Sequence, residues 1–229
     1  MPELPLLQLK DVAWCKTKGQ PTFTNVHLTL NEGEVLILQG KSGCGKSTLL
    51  KCISHLNVYE GEVLYRGQTP QSYGVPYFRT QVAYVPQRAS LLSGSPRDFL
   101  TAVSSFAAQH AVCPTAALDL ADTWGVPREL WDRPWASLSG GEAQRVVLAI
   151  AVGACSAEVL LLDEPTSALD GESTTAIEKH LVSAVRDPEA KLKAVIWVTH
   201  SPEQGQRVGT RFLRVTAGGV QEVHPDSGV

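Results

Sequence analysis

Val35-Leu36-Ile37-Leu38-Gln39-Gly40-Lys41-Ser42-Gly43-Cys44-Gly45-Lys46-Ser47-Thr48 decides how this chain is read. The apolar run Val35 to Leu38 predicts a short buried strand, and Lys46 to His55 carries Leu49, Leu50 and Ile53 at helical core spacing. Between them, Gly40 to Ser47 fits the spacing G-x-x-x-x-G-K-[ST]. Glycines let the backbone wrap tightly, so that successive N–H groups aim at one point. The N-terminus of the following helix adds positive partial charge in the same direction. Such a cradle suits phosphate oxygens. Its expected binding residues are Gly40, Lys41, Ser42, Gly43, Cys44, Gly45, Lys46, Ser47 and Thr48. Lys46 is expected on the β- and γ-phosphates and the Ser47 hydroxyl on magnesium. A glycine-rich turn that binds nothing is the alternative, and the strand before and helix after it argue against that.

A second apolar strand, Val159 to Leu162, ends in Asp163 and Glu164. It is expected to run beside the strand of the phosphate cradle, which would bring Asp163 to Mg²⁺. Glu164, one residue on, points elsewhere and could orient and deprotonate an attacking water. Taken alone, the pair reads equally well as an exposed acidic strand end.

Working outward, Leu6 to Trp14 and Asn25 to Leu30 read as strands around a loop from Lys16 to Pro21. Glu62 to Tyr65 and Gln81 to Val85 read as two more. From Ser90 to Ser137 the pattern turns mostly helical: Ser95 caps, Pro96 starts a helix continuing from Arg97 to His110, and Thr115 to Trp124 forms another. Pro127 and Pro134 break up the rest. Helix Gly141–Ala154, strand Val159–Leu162, helix Glu172–Val185 and strand Ala194–Val198 then alternate, as a parallel sheet requires. The tail from Glu222 to Val229 is expected to fray.

The composition fits one globular domain: 229 residues, 43% hydrophobic and 19% charged. A net charge of -3 gives no general electrostatic case for nucleic acid or anionic lipid. Cys15, Cys44, Cys52, Cys113 and Cys155 lack metal-type spacing, and with no signal peptide in view they suggest a reducing, intracellular setting. The longest apolar run, Val146 to Cys155, is too short to span a bilayer and reads as a buried helix. Any membrane connection is therefore expected through a partner.

Leu138-Ser139-Gly140-Gly141-Glu142-Ala143-Gln144-Arg145 resembles the signature motif of the ABC (ATP-binding cassette) ATPases. It precedes Asp163-Glu164 at that family's usual interval. Gln87 in Tyr84-Val85-Pro86-Gln87 resembles the Q-loop, Ser167-Ala168-Leu169-Asp170 the D-loop, and His200 in Trp197-Val198-Thr199-His200 the switch histidine. Trp14 stands where the family places an adenine-stacking aromatic. The resemblance covers nearly the whole chain. It implies an α/β fold: a P-loop NTPase core with a parallel sheet, an N-terminal antiparallel β-subdomain and an α-helical subdomain inserted at about 88–138, all within a single domain 1–229.

The resemblance also implies Mg²⁺-dependent hydrolysis of ATP by a homodimer that forms head to tail on ATP binding. ATP is then sandwiched between the cradle of one copy and Ser139, Gly140 and Gly141 of the other. In that scheme His200 contacts the γ-phosphate and holds the water with Glu164, Gln87 touches magnesium or water, and Asp170 works across the dimer interface. On residues alone, Ser139 is also a plain helix cap, although two following glycines do not suit one. His200 could be structural, Gln87 a surface turn residue and Trp14 a core aromatic.

Two departures from the family's pattern inform the reading. Glu142 replaces the commoner glutamine of the signature. Trp131 to Ser137 lack the glycine-containing segment that resembles exporters with fused membrane domains, which points to a stand-alone subunit. The wording is closest to small bacterial or plant-like ATPases of metal export or metal tolerance. The implied partners are separate transmembrane permease subunits, with Leu91-Leu92 as a docking point. No nucleic acid and no direct membrane insertion are expected, and the subunit would be cytoplasmic, on the inner face of the membrane. The rival reading is a soluble ABC ATPase of DNA repair, translation or iron–sulfur cluster assembly. Absence of a long coiled coil between the motifs weighs against the first and a single cassette against the second. The third stays open. Alkylation of Cys44, inside the cradle, is expected to block nucleotide entry by bulk.

Overall fold

The computed structural model describes residues 4–17, 20–88, 93–106, 113–216 and 219–223. Its strands are β1 (Leu7–Thr17), β2 (Gln20–Leu30), β3 (Val35–Gln39), β4 (Glu60–Tyr65), β5 (Val82–Val85), β6 (Val159–Asp163), β7 (Ala194–Val198), β8 (Arg211–Thr216) and β9 (Gly219–Glu222). Its helices are α1 (Lys46–Ile53), α2 (Pro70–Tyr73), α3 (Val75–Gln81), α4 (Pro96–Ser104), α5 (Pro114–Thr123), α6 (Gly140–Gly153), α7 (Gly171–Arg186) and α8 (Pro202–Val208).

The strand period of two divides the core into two layers. Val35 and Ile37 of β3, Leu160 and Leu162 of β6, and Val195 and Trp197 of β7 face one apolar cluster, shared with α5, α6 and α7. Leu36 and Leu38, Val159 and Leu161, and Ala194, Ile196 and Val198 face the other, shared with α1 and the N-terminal strands. Strands covered on both faces need apolar residues throughout, which is why these segments read as unbroken runs.

The large sheet has the order β5-β6-β7-β3-β8-β9. Its pairs are parallel from β5 to β8, and β9 returns antiparallel to β8. The antiparallel sheet has the order β2-β1-β4. The expected adjacency of the two motif strands is therefore corrected: β7 lies between β3 and β6. Sequence pattern shows that both strands are buried, but strand order is a long-range choice that it does not encode locally.

Other boundaries also move. β1 and β2 close the expected loop down to a short connection, and the helix begun at Pro96 ends at Ser104, short of His110. Residues 107–112, Leu91-Leu92 and 224–229 lie outside the described residues. The sequence reading missed α2, α3, α8, β8 and β9. Two short 3-10 turns, Arg128–Asp132 and Trp135–Ser137, occupy the proline-broken stretch. Among the described residues no helix is long and apolar enough to cross a membrane.

Gly153 marks the closest approach of α5 to α6. A Cβ there would stand 2.7 Å from the backbone N and Cα of Ala117. Gly→Ala within a helix usually stabilises by about 1 kcal/mol. Here the clash is with backbone, which cannot rotate away, and overpacking of that kind costs about 1–3 kcal/mol. The steric term wins, so Gly153→Ala is expected to lower the thermal midpoint, measured by calorimetry. A raised midpoint would mean that α5 shifts freely.

Candidate functional site

The phosphate cradle forms where β3 gives way to α1. Gly43 (φ 78°) and Gly45 (φ 102°) occupy the left-handed region, where a side chain would be strained. Gly45 is also closely packed, since a Cβ there would meet Thr22 Cγ2 at 2.7 Å and Phe23 Cδ1 at 3.1 Å. α1 starts with no side-chain cap and no acidic residue in its first turn. Its leading N–H groups and dipole therefore face an anion site with nothing local to neutralise them. Lys46 is buried at 7% exposure, and its ammonium donates to the carbonyls of Gly40 (2.8 Å) and Lys41 (3.1 Å).

Although β6 is one strand removed from β3, the carboxyl ends of the parallel strands converge. Ser47 Oγ donates to Asp163 Oδ1 at 3.0 Å. The other oxygen, Asp163 Oδ2, accepts from Tyr84 Oη at 2.9 Å. Burial, and then the Asp163 charge, drive the Tyr84 phenol well above its ordinary range. Tyr84 stays a donor at any physiological pH. Sequence reasoning gives Tyr84 no role, because a tyrosine in a half-buried strand is too ordinary a signal to mark it.

Glu164 departs from the strand. Its φ of 49° lies in the left-handed region, a conformation costing roughly 1–3 kcal/mol for a non-glycine residue. Its backbone N–H donates to Val198 O (3.1 Å), and its carbonyl accepts from Ser167 N (3.2 Å). The carboxylate is held at both oxygens: His200 Nε2 lies 3.0 Å from Oε1, and Gln87 Nε2 donates to Oε2 at 2.8 Å. Three motif residues from three strand ends thus meet on one carboxylate.

These groups line a groove of about 390 Å³. Its lining includes Trp14, then Ser42, Gly43, Gly45, Lys46, Ser47 and Thr48 of the cradle and α1, and Gln87, Glu164 and His200. Gly40, Lys41 and Cys44 instead line a neighbouring cavity of about 360 Å³, which shares His200 with the groove. Cys44 belongs to the cradle and lines that neighbouring cavity.

Ser139, Gly140, Gly141 and Asp170 do not line the groove. Ser139 caps α6 in a capping box: its hydroxyl accepts from Glu142 N (3.3 Å), and the Glu142 carboxylate accepts from Ser139 N (2.7 Å). The Ser139 backbone N–H, then its hydroxyl, hold the Glu142 carboxyl below its usual range. Gly141 has a packing reason of its own, because a Cβ would stand 3.0 Å from Ala168 O. Gly140 has no such reason, since a Cβ there would meet only Ala168 Cβ at 4.0 Å. Asp170 caps α7 through Ser173 and lies 3.6 Å from Arg145 of α6.

Comparison with known proteins follows the same lines. A family profile described as ABC transporter matches residues 23–167. The chain is 33% identical over 201 residues to the probable iron export ATP-binding protein FetA of Escherichia coli (strain K12), covering 87% of each. It is 35% identical over 229 residues to the phosphate import ATP-binding protein PstB of Pseudoalteromonas translucida (strain TAC 125), covering 92% of this chain and 80% of that one. The fold matches the dimeric structure of MJ0796, a bacterial ABC transporter cassette, with a TM-score of 0.81 at 24% identity over 97% of this chain and 100% of that chain. With the phosphate cradle, the paired carboxylates and the signature helix all in place, the chain belongs to the ABC transporter family, as one of its ATP-binding, ATP-hydrolysing subunits.

Proposed function

We propose that this chain hydrolyses ATP in the groove between the cradle and Glu164, as one half of a head-to-tail dimer, and so energises transport through separate membrane subunits. The observation that carries the reading is the Glu164 carboxylate, fixed at both oxygens by His200 and Gln87 in the wall of the phosphate groove.

In this cycle the adenine stacks on Trp14 and the phosphates lie along Gly40 to Thr48. Lys46 turns its ammonium to the β- and γ-phosphate oxygens. Glu164 accepts a proton from the attacking water as its oxygen bonds the γ-phosphorus and the bond to ADP breaks. His200 holds the water and the γ-phosphate in line. Ser139, Gly140 and Gly141 of a second copy close over the same phosphate, while Asp170 sits at the dimer seam. In the single copy the Ser139 hydroxyl serves its own cap, accepting from Glu142 N, and closure would turn its proton from the Glu142 carboxylate to the phosphate.

Ser47 Oγ and Asp163 Oδ1, 3.0 Å apart, make an all-oxygen donor pair of the kind magnesium takes beside a triphosphate. These two would hold Mg²⁺, which when bound neutralises charge on the phosphate oxygens. The Gln87 amide nitrogen is engaged with Glu164, which leaves its carbonyl oxygen for magnesium or the water.

The helical segment from about 88 to 138 would act as the arm that moves on dimer closure. Apolar Leu56 (48% exposed) and Val58 (93% exposed) border a groove with Arg79 and suit docking of a membrane subunit's cytoplasmic segment. Such docking would place the chain peripherally on the inner face of the membrane. The relatives named above serve opposite directions, one iron export and one phosphate import. The residues of this site address ATP, and cargo is left to the membrane partner.

Glu164→Gln is expected to keep ATP binding, lose at least roughly 100-fold in turnover and trap a dimer with ATP on size exclusion. Lys46→Ala is expected to lose nucleotide retention. A Glu164→Gln protein that stays monomeric with ATP would overturn the dimer. Tyr84→Phe removes one donor from Asp163 and almost no bulk. It is expected to slow hydrolysis about tenfold, equivalent to ~1.4 kcal/mol, with the loss eased by excess magnesium in a steady-state titration. Unchanged kinetics at limiting magnesium would show that Ser47 alone holds the carboxylate.

A further inference from the structure

We propose that Gln204, on α8 and outside every motif, is the positioning residue that sets His200 against Glu164. The proposal rests on the reading of those two residues as the water-handling pair.

His200 is half-exposed, and its ring is held by Glu164. Its place in space depends on its neighbours, and both of them converge on Gln204. Thr199 Oγ1 donates to Gln204 Oε1 at 2.6 Å. Ser201 caps α8 by accepting from Gln204 N at 3.2 Å, and Ser201 N donates back to Thr199 Oγ1 at 3.1 Å. The same side chain reaches the other half of the pair: Gln204 Nε2 donates to Thr166 Oγ1 at 2.8 Å, two residues past Glu164. Its second hydrogen goes to Glu178 Oε1 at 2.9 Å. Arg207, one turn further along α8, grips both oxygens of Glu178 at 2.9 and 3.0 Å.

Thr166, Glu178, Thr199 and Gln204 are all more than nine-tenths buried. Buried polar groups are costly unless each is paired, so this cluster has one arrangement and resists others. The chemistry calls for an amide. Two N–H groups and one carbonyl serve Thr166, Glu178 and Thr199 at once, and Glu178 fixes which way the amide faces. A carboxylate at 204 would confront Glu178 with like charge. Since Glu178 lies on α7, whose N-cap is Asp170, the clamp also connects the dimer-seam segment to the switch histidine through one helix.

The test is a donor–acceptor swap. In Gln204→Glu, kcat for ATP hydrolysis is expected to fall roughly tenfold to a hundredfold, as for a small misplacement of reacting groups. KM for ATP and Kd for a fluorescent ATP analogue are expected to stay within about twofold. The double variant Gln204→Glu/Glu178→Gln restores one donor and one acceptor across the contact and is expected to return kcat to within about threefold of the parent. Parent-like kcat in Gln204→Glu, a fall in nucleotide affinity that tracks kcat, or a double variant no faster than the single would each overturn the proposal. Should Gln204→Glu fail to fold, Thr166→Val carries the test, because it deletes only the hydroxyl linking Gln204 to the Glu164 segment. Lower kcat at constant Kd supports the clamp and unchanged kcat refutes it. Glu164→Gln, assayed alongside, separates the two levels: if that variant still turns over, the assignment of the base fails, whatever Gln204 does.

Discussion

Because β3, β6 and β7 are covered on both faces, polar chemistry has nowhere to sit along their length. Every side chain from Val35 to Leu38, Val159 to Leu162 and Ala194 to Val198 is buried, and the single polar atom among them, the Trp197 indole nitrogen, has no hydrogen-bond partner among the described residues. A carboxylate, ammonium or amide without partners in either layer would cost several kcal/mol. The groups that handle phosphate are therefore confined to the carboxyl ends, where the strands run out of cover: the cradle after β3, Gln87 after β5, Asp163 and Glu164 at β6, His200 after β7. Parallel order brings those ends to one edge. The same constraint explains how Ser47 and Asp163 meet, although β7 separates their strands and 116 residues separate them in sequence.

Within that edge, two helix N-termini are treated differently. α1 is bare, with no cap and no acidic residue in its first turn. α6 is satisfied by its own box, with the Glu142 carboxylate on the Ser139 N–H. An anion should settle first on the bare terminus, where no carboxylate competes. The capped terminus, with a carboxylate already on its N–H, is the weaker attractor. That asymmetry suits a pocket whose first half binds nucleotide and whose second half only completes it.

What could be read from the sequence follows from the range of the physics. The cradle, the buried strands and the cap at Ser95 are local: a glycine spacing, an apolar run, a Ser-Pro step before a helix. Ser201-Pro202 carries the same cap signal as Ser95-Pro96, so α8 was legible and was passed over. Thr69-Pro70, ahead of α2, is a third case. β8 gives a weaker signal, since Arg211 and Arg214 interrupt its apolar residues. Strand order was not legible at all, because each parallel neighbour is chosen by packing between segments far apart. Lys46 and Glu164 are legible in the cradle spacing and the acidic strand end, Gln87 and His200 only through a resemblance, and the groove gathers all four.

Tyr84 and Gln204 belong to another class. Tyr84 acts on a residue 79 positions away, and Gln204 reaches partners 38 and 26 positions away. Neither has a local pattern that marks it, since a tyrosine in a strand and a glutamine in a short helix are ordinary. Their weight comes from burial: once the sheet excludes water, an amide or hydroxyl at its edge must find protein partners, and those partners become fixed in turn. The Glu164 carboxylate, held at both oxygens, needs such fixed neighbours more than it needs further charges. The strained backbone at Glu164 makes the same point, because a left-handed residue persists only where its surroundings over-determine it. The Thr166–Gln204–Thr199 chain, closing on both sides of the Glu164–His200 pair, is the part of this structure able to do so.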